Sequence, residues 1–281
     1  MGLRINTNVA SINAQRNMRS TRLNLDKSLE KLASGFRINK AGDDAAGLAI
    51  SESLRAQIRG YGQALRNTQD GISMIQVAEG GLNEVSSIMI RLRELGVQAA
   101  SDTVGPVERQ FLNVEYEQLL QEIDRIADAT EFNGTPLLNG TGALFDFQIG
   151  IRNDPTIDRI TFDASKADSN TAAIGVNLTS VADKASAQNS LAAIDKAIMN
   201  VSAMRADFGA IQNRLQSTIN NLAVSIENIS AANSRIRDTD VAEESAELTK
   251  NNVLMQAGTS VLAQANQTTA SAVQLLQKTF G

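Results

Sequence analysis

The sequence of 281 residues contains no cysteine, no histidine and no tryptophan, and aromatic residues make up only 4% of it. The lack of cysteine excludes disulfides, thiolate nucleophiles and cysteine-ligated zinc or iron–sulfur centres. The lack of histidine excludes a Ser-His-Asp triad and histidine-bound metals. We therefore expect a protein that is not an enzyme and that holds no metal and no cofactor, since an enzyme would need a site built from carboxylates or lysine alone.

The sequence also lacks long apolar runs. Its first residues contain no apolar core of about 7–15 residues, so they do not predict a signal peptide of the general secretory route. No stretch reaches the ~20 apolar residues that span a bilayer. These absences predict a cytoplasmic protein with no membrane insertion, unless a dedicated export machine recognises other features of the chain.

Charge is distributed unevenly along the chain, whose formal net charge is −5. Residues 1–40 contain eight Lys or Arg and only two Asp or Glu, so the N-terminal arm is basic. A basic arm can bind nucleic acid, but these cations are spaced apart and no aromatic stacking pattern accompanies them. We expect no nucleic-acid partner, and a cytoplasmic coiled-coil scaffold with a nucleic-acid-binding arm is kept as an alternative.

Proline is scarce, which leaves residues 1–105 and 156–281 free of the strongest helix breaker. Apolar residues recur in both regions in alternating steps of three and four, a spacing typical of helices that wind around one another. The clearest stripes are Leu54, Ile58, Tyr61, Leu65, Thr68, Ile72 and Ile75 in the first region and Leu215, Ile219, Leu222, Ile226, Ile229, Asn233 and Ile236 in the second. A helix of ~50 residues is ~75 Å long, so we expect an elongated bundle.

Both ends of the chain predict helices that are not stable alone. The C-terminal stripe is Met255, Gly258, Leu262, Ala265, Thr269, Ala272, Leu276 and Thr279, and the N-terminal stripe is Val9, Ile12, Leu25, Leu29, Leu32 and Phe36. Many of these residues are small, so an isolated helix would bury too little apolar surface to offset the entropy of ordering it. We therefore expect a bundle that is closed by both termini and that is ordered by contacts from neighbouring molecules.

The chain centre differs from both helical regions. A shorter helix is predicted over residues 107–130. Beyond it, the turn dipeptide Asn133-Gly134 and the short β-type runs at residues 144–149 and 159–162 predict a small hairpin region. The predicted fold class is thus mainly α, an elongated bundle of long coiled-coil-like helices closed by both termini, with a small β-hairpin region in the chain centre.

Several sequence blocks match a known family in order and spacing. Residues 32–39 read LASGFRIN, residues 41–50 read AGDDAAGLAI, and residues 67–73, 91–98 and 256–267 read NTQDGIS, RLRELGVQ and QAGTSVLAQANQ. Through these blocks the chain closely resembles bacterial flagellins, the subunits of the flagellar filament. Its small centre is similar to that of minimal flagellins, which lack large outer domains.

The resemblance implies a structural subunit that self-assembles into the helical flagellar filament and so gives the cell motility. It implies inner-tube terminal helices with a connector at residues 1–43 and 251–281, and a helical core rod at residues 44–131 and 181–250. The hairpin and turn region would then occupy residues 132–180. The side chains expected to pack the inner tube are Val9, Ile12, Leu25, Leu29, Leu262, Ala265, Ala272 and Leu276.

The connector of the family corresponds here to Gly35, Arg37, Asn39, Asp43 and Asp44. Two adjacent aspartates in a glycine-rich loop can serve acid–base chemistry or bind a cation. Carboxylates ahead of a helix also cap its N-terminus, because they accept its free N–H groups and complement its dipole. We favour the capping interpretation, which agrees with the connector that the resemblance implies.

The resemblance also implies partners. These are other copies of the chain, an export chaperone at the C-terminal helix, the flagellar export apparatus, and cap and junction proteins. The location implied is the extracellular filament, reached without a cleaved signal peptide.

One short set of residues matches the family surface that a Toll-like innate immune receptor of animals contacts, namely Arg91, Leu95 and Glu115. The alternative for this set is bonding within the bundle or to the next subunit. For the chain as a whole, a hook–filament junction protein, which shares the terminal architecture, is the alternative within the structural class.

Overall fold

The computed structural model describes the backbone of residues 7–280 and the side chains of residues 7–271. Within this range the chain forms six α-helices and two pairs of short antiparallel strands, which confirms the predicted mainly α fold with a small central β region. The helices are α1 (Val9–Ser34), α2 (Ala45–Ala99), α3 (Pro106–Ala129), α4 (Thr171–Ile174), α5 (Lys184–Arg237) and α6 (Val241–Phe280). The strands are β1 (Glu131–Phe132), β2 (Thr135–Pro136), β3 (Leu144–Gln148) and β4 (Arg159–Asp163).

The chain divides into two compact units. Unit 1 consists of residues 1–56 and 229–281, and unit 2 consists of residues 57–228. This division by contacts differs from the three-part division expected from the sequence. The expected assignment of inner tube, core rod and hairpin region concerns the assembled state and remains a prediction.

Unit 1 is built around an antiparallel pair formed by α1 and α6. The α1 helix begins after Asn8, whose side-chain oxygen accepts a hydrogen bond from the N–H of Ser11 at 3.1 Å. It ends at Ser34 and is capped by Gly35, which adopts the left-handed conformation with φ of 73° and donates its N–H to the carbonyl of Lys31. Glycine suits this cap because it has no Cβ to clash.

Unit 2 contains a continuous apolar core between α2, α3 and α5. The largest fully buried side chains include Ile75, Leu82, Met89, Leu92, Tyr116, Ile123, Ile194 and Leu215. The α3 helix starts at Pro106, where the missing N–H costs no helical hydrogen bond. It ends at Ala129, one residue before the predicted end.

The β-strands form two separate hairpins. In the first, Asn133 and Gly134 both have positive φ, at 50° and 76°, as a tight two-residue turn between β1 and β2 requires. In the second, β3 and β4 pair with Phe145 opposite Phe162. Its Phe147 ring lies against α2, where a Cβ added at Gly71 would approach the ring to 3.0 Å. The helix α4 and a 3-10 turn at Ala164–Lys166 were not predicted, since they are too short to show a periodic pattern.

Two features are absent from the described residues. No helix among them is apolar over a length sufficient to cross a membrane. No group of three or more Asp or Glu side chains among them is arranged to hold a metal ion.

Candidate assembly interface

The contact between α1 and α6 is lined mainly by small and polar side chains. On each helix the least exposed positions recur every three or four residues, the spacing of two helices that wind around each other. We call this contact the seam. It comprises Ser11, Ala14, Met18, Thr21, Leu25 and Ser28 from α1, and Asn251, Met255, Gly258, Leu262, Ala265 and Thr269 from α6.

Gly258 allows the two helices of the seam to approach closely. A Cβ added at this position would lie 2.8 Å from Met18 Cγ and 3.6 Å from Met18 Sδ. Carbon atoms that are not bonded pack at about 3.5–4.0 Å. The thioether side chain of Met18 therefore occupies the space that any larger residue at position 258 would need.

Polar contacts fix the register of the seam near both of its ends. At one end Asn8 Nδ2 donates to the carbonyl oxygen of Ala265 at 2.8 Å and to Thr269 Oγ1 at 3.1 Å. At the other end Lys31 Nζ donates to Glu244 Oε2 at 3.1 Å. Burial raises the pKa of the Glu244 carboxyl, but hydrogen bonds from Ser28 and Lys31 and the charge of Lys31 outweigh burial and lower the pKa overall.

The side chains expected to pack the inner tube fall into three groups. Leu25, Leu262 and Ala265 lie in the seam. Val9, Ile12 and Leu29 lie on the exposed surface of α1, where Val9 and Ile12 are each 56% exposed. Leu254 and Val261 of α6 are exposed in the same way. The side chains of Ala272 and Leu276 lie outside the described residues.

The two connector aspartates bond to backbone N–H groups. Asp43 Oδ2 accepts hydrogen bonds from the N–H groups of Asn39 at 3.1 Å and Lys40 at 3.0 Å. The bonds from Lys40 and Asn39 hold the pKa of the Asp43 carboxyl below its ordinary value. Asp44 Oδ1 accepts from the N–H of Gly47 at 2.9 Å, in the first turn of α2. Asp44 therefore caps the start of α2, as expected, whereas Asp43 holds the connector turn that precedes the helix.

The rest of the connector runs beside the end of α5. The N–H of Arg37 donates to the carbonyl of Arg237 at 2.6 Å, and the N–H of Thr239 donates to the carbonyl of Gly35 at 3.0 Å. The Arg37 guanidinium donates to the carbonyl of Ile236 at 2.7 Å, so it caps the C-terminus of α5. The connector between α1 and α2 and the link between α5 and α6 thus form a short antiparallel pairing.

Arg237, the last residue of α5, holds the connector in place but was not predicted from the sequence. Its guanidinium carbon lies 4.8 Å from the centroid of the Phe36 ring, and its Nη1 donates to Glu52 Oε1 at 2.6 Å. The hydrogen bond from Arg237 lowers the pKa of the Glu52 carboxyl. From sequence, an arginine in the last turn of a helix indicates only a favourable interaction with the helix dipole, because the partners of Arg237 lie 185 or more positions away.

The three residues matched to a receptor surface, Arg91, Leu95 and Glu115, all lie in unit 2 but differ in exposure. Arg91 bonds to Glu115 Oε1 at 2.8 Å through Nε and at 2.7 Å through Nη2, and to Glu94 at 3.1 Å. The hydrogen bonds from Glu115 and Glu94 raise the pKa of Arg91. Leu95 is fully buried in the core of unit 2. Only Arg91 and Glu115 therefore offer atoms to an external partner.

Two family models match most of the chain. The bacterial flagellin N-terminal helical region matches residues 5–143, and the bacterial flagellin C-terminal helical region matches residues 191–276. The matched ranges contain α1, the connector, α2 and α3, and most of α5 and α6. The central residues between the two models include β3, β4 and α4.

Individual proteins agree with the family models. A flagellin of Halalkalibacterium halodurans is 47% identical over 273 residues, which cover 97% of this chain and 99% of the relative. A flagellar filament 33 kDa core protein of Treponema phagedenis is 44% identical over 97% of this chain and 99% of the relative. The crystal structure of Bacillus cereus flagellin superimposes with a TM-score of 0.50 at 34% identity, over 60% of this chain and 94% of that chain.

Proposed function

This chain belongs to the bacterial flagellin family, and we infer that it is a structural subunit that self-assembles into the helical filament of the bacterial flagellum. Its function in motility is mechanical, so the chemistry that matters is the chemistry of its subunit contacts. A relative named as a filament core protein supports this function over that of a hook–filament junction protein.

The observation that carries this function is the placement of apolar side chains on the outside of the α1–α6 pair. Its seam contains mainly small and polar side chains, whereas Val9, Ile12, Leu254 and Val261 face outward. Apolar side chains left exposed in this number are available for association with a partner. Because the pair cannot cover them itself, we propose that neighbouring copies do so.

We propose that these outward side chains and the seam together build the inner tube of the filament. In this assignment Leu25, Leu262 and Ala265 hold α1 against α6, and Val9, Ile12 and Leu29 contact other copies. Ala272 and Leu276 continue the same pattern toward the C-terminus. The assignment of residues 44–131 and 181–250 to a surrounding rod and of residues 132–180 to a small hairpin region belongs to the same proposal.

The function requires partners besides the chain itself. We propose that the chain is exported through the flagellar export apparatus without a cleaved signal peptide and joins an extracellular filament that also holds cap and junction proteins. An export chaperone would cover α6, whose exposed apolar side chains need protection in the monomer. Deletion of residues 250–281 should abolish chaperone binding, and retained binding would place the chaperone site elsewhere.

A second proposed partner is a Toll-like receptor of an animal host. Arg91 and Glu115 are exposed and form a fixed ionic pair between α2 and α3, as a recognition site on a rigid surface requires. The same pair can also contact the next subunit in the filament, so receptor binding would be a property of the monomer.

The test of the main function is assembly of purified monomer. Short filament seeds or a precipitating salt are added, and pelleting is followed with electron microscopy. We expect uniform tubes with a central channel from the unmodified chain and none from Ile12→Asp, because a buried unpaired charge is costly. Leu262→Asp should block assembly as well, through loss of the seam, and should leave unit 2 folded.

The matched control is Asp placed at an exposed polar position of unit 2 that lies outside the proposed subunit contacts, Asn83→Asp on α2, which should assemble normally. Monomers that persist under every condition would contradict the filament function and favour the junction or scaffold alternatives. If Ile12→Asp formed tubes normally, the assignment of the outer face of α1 to the inner tube would be contradicted, and the filament function would stand.

A further inference from the structure

An exposed apolar ridge crosses the first half of α3. Its members are Val107, Phe111 and Val114, spaced four and three residues apart on the side of the helix that faces away from the core. Phe111 is 71% exposed, the largest side chain of the three and the most prominent. Burial of an exposed phenylalanine side chain against a partner lowers the free energy, because its apolar surface leaves water. We therefore expect a partner to cover this ridge.

A groove of matching character lies between α5 and the β3–β4 hairpin. It consists of two adjoining cavities of about 420 and 380 Å³, and Arg214 lines both. The apolar walls are formed by Leu144, Phe162, Met204, Phe208, Ile211, Ile149, Ile157 and Ile160. A cavity of this size accommodates an aromatic side chain.

Ridge and groove lie at different levels of α5 and therefore cannot meet within one molecule. Two hydrogen bonds show which part of α5 lies beside the ridge. The hydroxyl of Tyr116, in α3, is hydrogen-bonded to Thr179 at 2.6 Å, and the next residue, Ser180, accepts a hydrogen bond from Ser190 of α5. The groove is lined by α5 residues from Met204 to Thr218, which follow Ser190 by 14–28 positions. At 1.5 Å per residue, the two features are separated by roughly 20–40 Å along the helix.

The charges around the two surfaces are complementary. Beside the ridge, Glu108 and Glu117 are exposed and in no ion pair among the described residues. The nearby Arg109 donates to the carbonyls of Ala99 and Ser101, and its charge offsets only one of these two carboxylates. The groove is lined by the cations Arg159, Lys166 and Arg214 and by the acids Asp163 and Asp207. Lys166 and Asp163 pair with each other at 3.4 Å, which leaves a net positive groove opposite a negative ridge.

We propose that the α3 ridge of one copy docks into the α5–hairpin groove of the next copy, with Phe111 as the anchoring side chain. Two different surfaces at different levels of one molecule give a head-to-tail contact, and a repeated head-to-tail contact that does not close builds an open filament. This inference rests on the proposed filament function. It adds to that function a specific contact between unit 2 of one subunit and unit 2 of the next.

The absence of cysteine from the chain makes this contact directly testable. Phe111→Cys and Leu144→Cys are introduced together, filaments are assembled under reducing conditions, and a mild oxidant then joins thiols that are close. A disulfide needs Cα atoms within about 7 Å, so a bond inside one molecule is excluded by the separation along α5. We expect a ladder of dimers, trimers and longer species on a denaturing gel.

The matched control pairs Phe111→Cys with Met199→Cys, an exposed α5 residue that does not line the groove. It should give filaments without a ladder. A second measurement uses Phe111→Ala, which should raise the critical monomer concentration about tenfold, as loss of an anchoring aromatic residue does. Met199→Ala should leave this concentration unchanged.

The outcomes separate the two proposals. Filaments of the Phe111→Cys, Leu144→Cys variant that give no ladder, together with an unchanged critical concentration for Phe111→Ala, would overturn the ridge-and-groove contact and leave the filament function intact. Failure of the unmodified chain to form filaments would overturn the filament function itself.

Discussion

The guanidinium of Arg237, at the end of α5, lies over the ring of Phe36 in the connector, with 4.8 Å between the guanidinium carbon and the ring centroid. The same side chain donates to Glu52 in α2 at 2.6 Å and is only 14% exposed. One arginine thus joins three segments of unit 1. The path of the connector depends on this residue as much as on the backbone pairing beside it.

Replacement of Arg237 by alanine should loosen the connector. A cation over an aromatic ring is worth about 0.5–2 kcal/mol, so tryptic cleavage after Arg37 and Lys40 in the monomer should be accelerated roughly tenfold. Arg235→Ala is the control, because Arg235 lies in the same last turn and contributes only its carbonyl to the connector. Equal cleavage rates of the two variants would show that Arg237 does not hold the connector.

Substitution of Gly258 tests the close approach of α1 and α6. Gly258→Val should hinder assembly, because its Cβ would lie 2.8 Å from Met18 Cγ and overpacking of this kind costs about 1–3 kcal/mol. A second change, Met18→Ala, removes the obstructing atoms and should restore assembly in the double variant. The measurement is the critical concentration for seeded growth.

The control for this pair is Gly62→Ala on α2, where a Cβ would meet nothing within 4 Å. This change should leave assembly unchanged or improve stability slightly, because alanine favours a helix over glycine. If Met18→Ala failed to restore assembly of Gly258→Val, the close contact between these two residues would not be the cause of the defect.

The Lys31–Glu244 contact predicts a pH dependence of the seam. The pKa of Glu244 is lowered from its ordinary value of 4.5 in the folded state, so its contribution to stability is complete above about 4.5 and is lost as the pH falls through the lowered pKa. Filaments should therefore dissociate in acid, and Glu244→Gln should make dissociation less steep in this range. Pelleting across a pH series measures the effect.

Glu247→Gln provides the comparison, since Glu247 pairs, within the described part of the chain, only with Lys250 on the same helix at 2.9 Å. An exposed pair of this kind contributes little to stability. Identical acid profiles for Glu244→Gln and the unmodified chain would remove Glu244 from the account of the seam.

The receptor proposal makes a prediction that separates binding from folding. Arg91→Ala and Glu115→Ala should abolish activation of a Toll-like receptor by the monomer while unit 2 stays folded, because both side chains are exposed. Leu95→Ala should instead lower the free energy of unfolding by about 2–5 kcal/mol, since Leu95 is fully buried. Reporter-cell activation and thermal unfolding distinguish the two effects.

Helix placement and the central hairpin followed from local signals. The regions without proline carry stripes at a spacing of three and four, and α2 and α5 occupy them. Alternating β-type residues around Pro155 became β3 and β4, with limits within a residue or two of those predicted. These features depend on neighbours a few positions apart, which a sequence displays directly.

Composition, local spacing and ordered motifs were sufficient to establish the mainly α architecture, the absence of any thiol or imidazole chemistry, and the family. The tertiary structure was needed to show which apolar residues face inward. It placed Leu25 in the seam and Ile12 outside, buried Leu95, and brought Asn8 to Ala265 across 257 positions. A stripe of apolar residues specifies that a helix has an apolar side. The part of that side that becomes buried within the same chain depends on a partner helix hundreds of residues away.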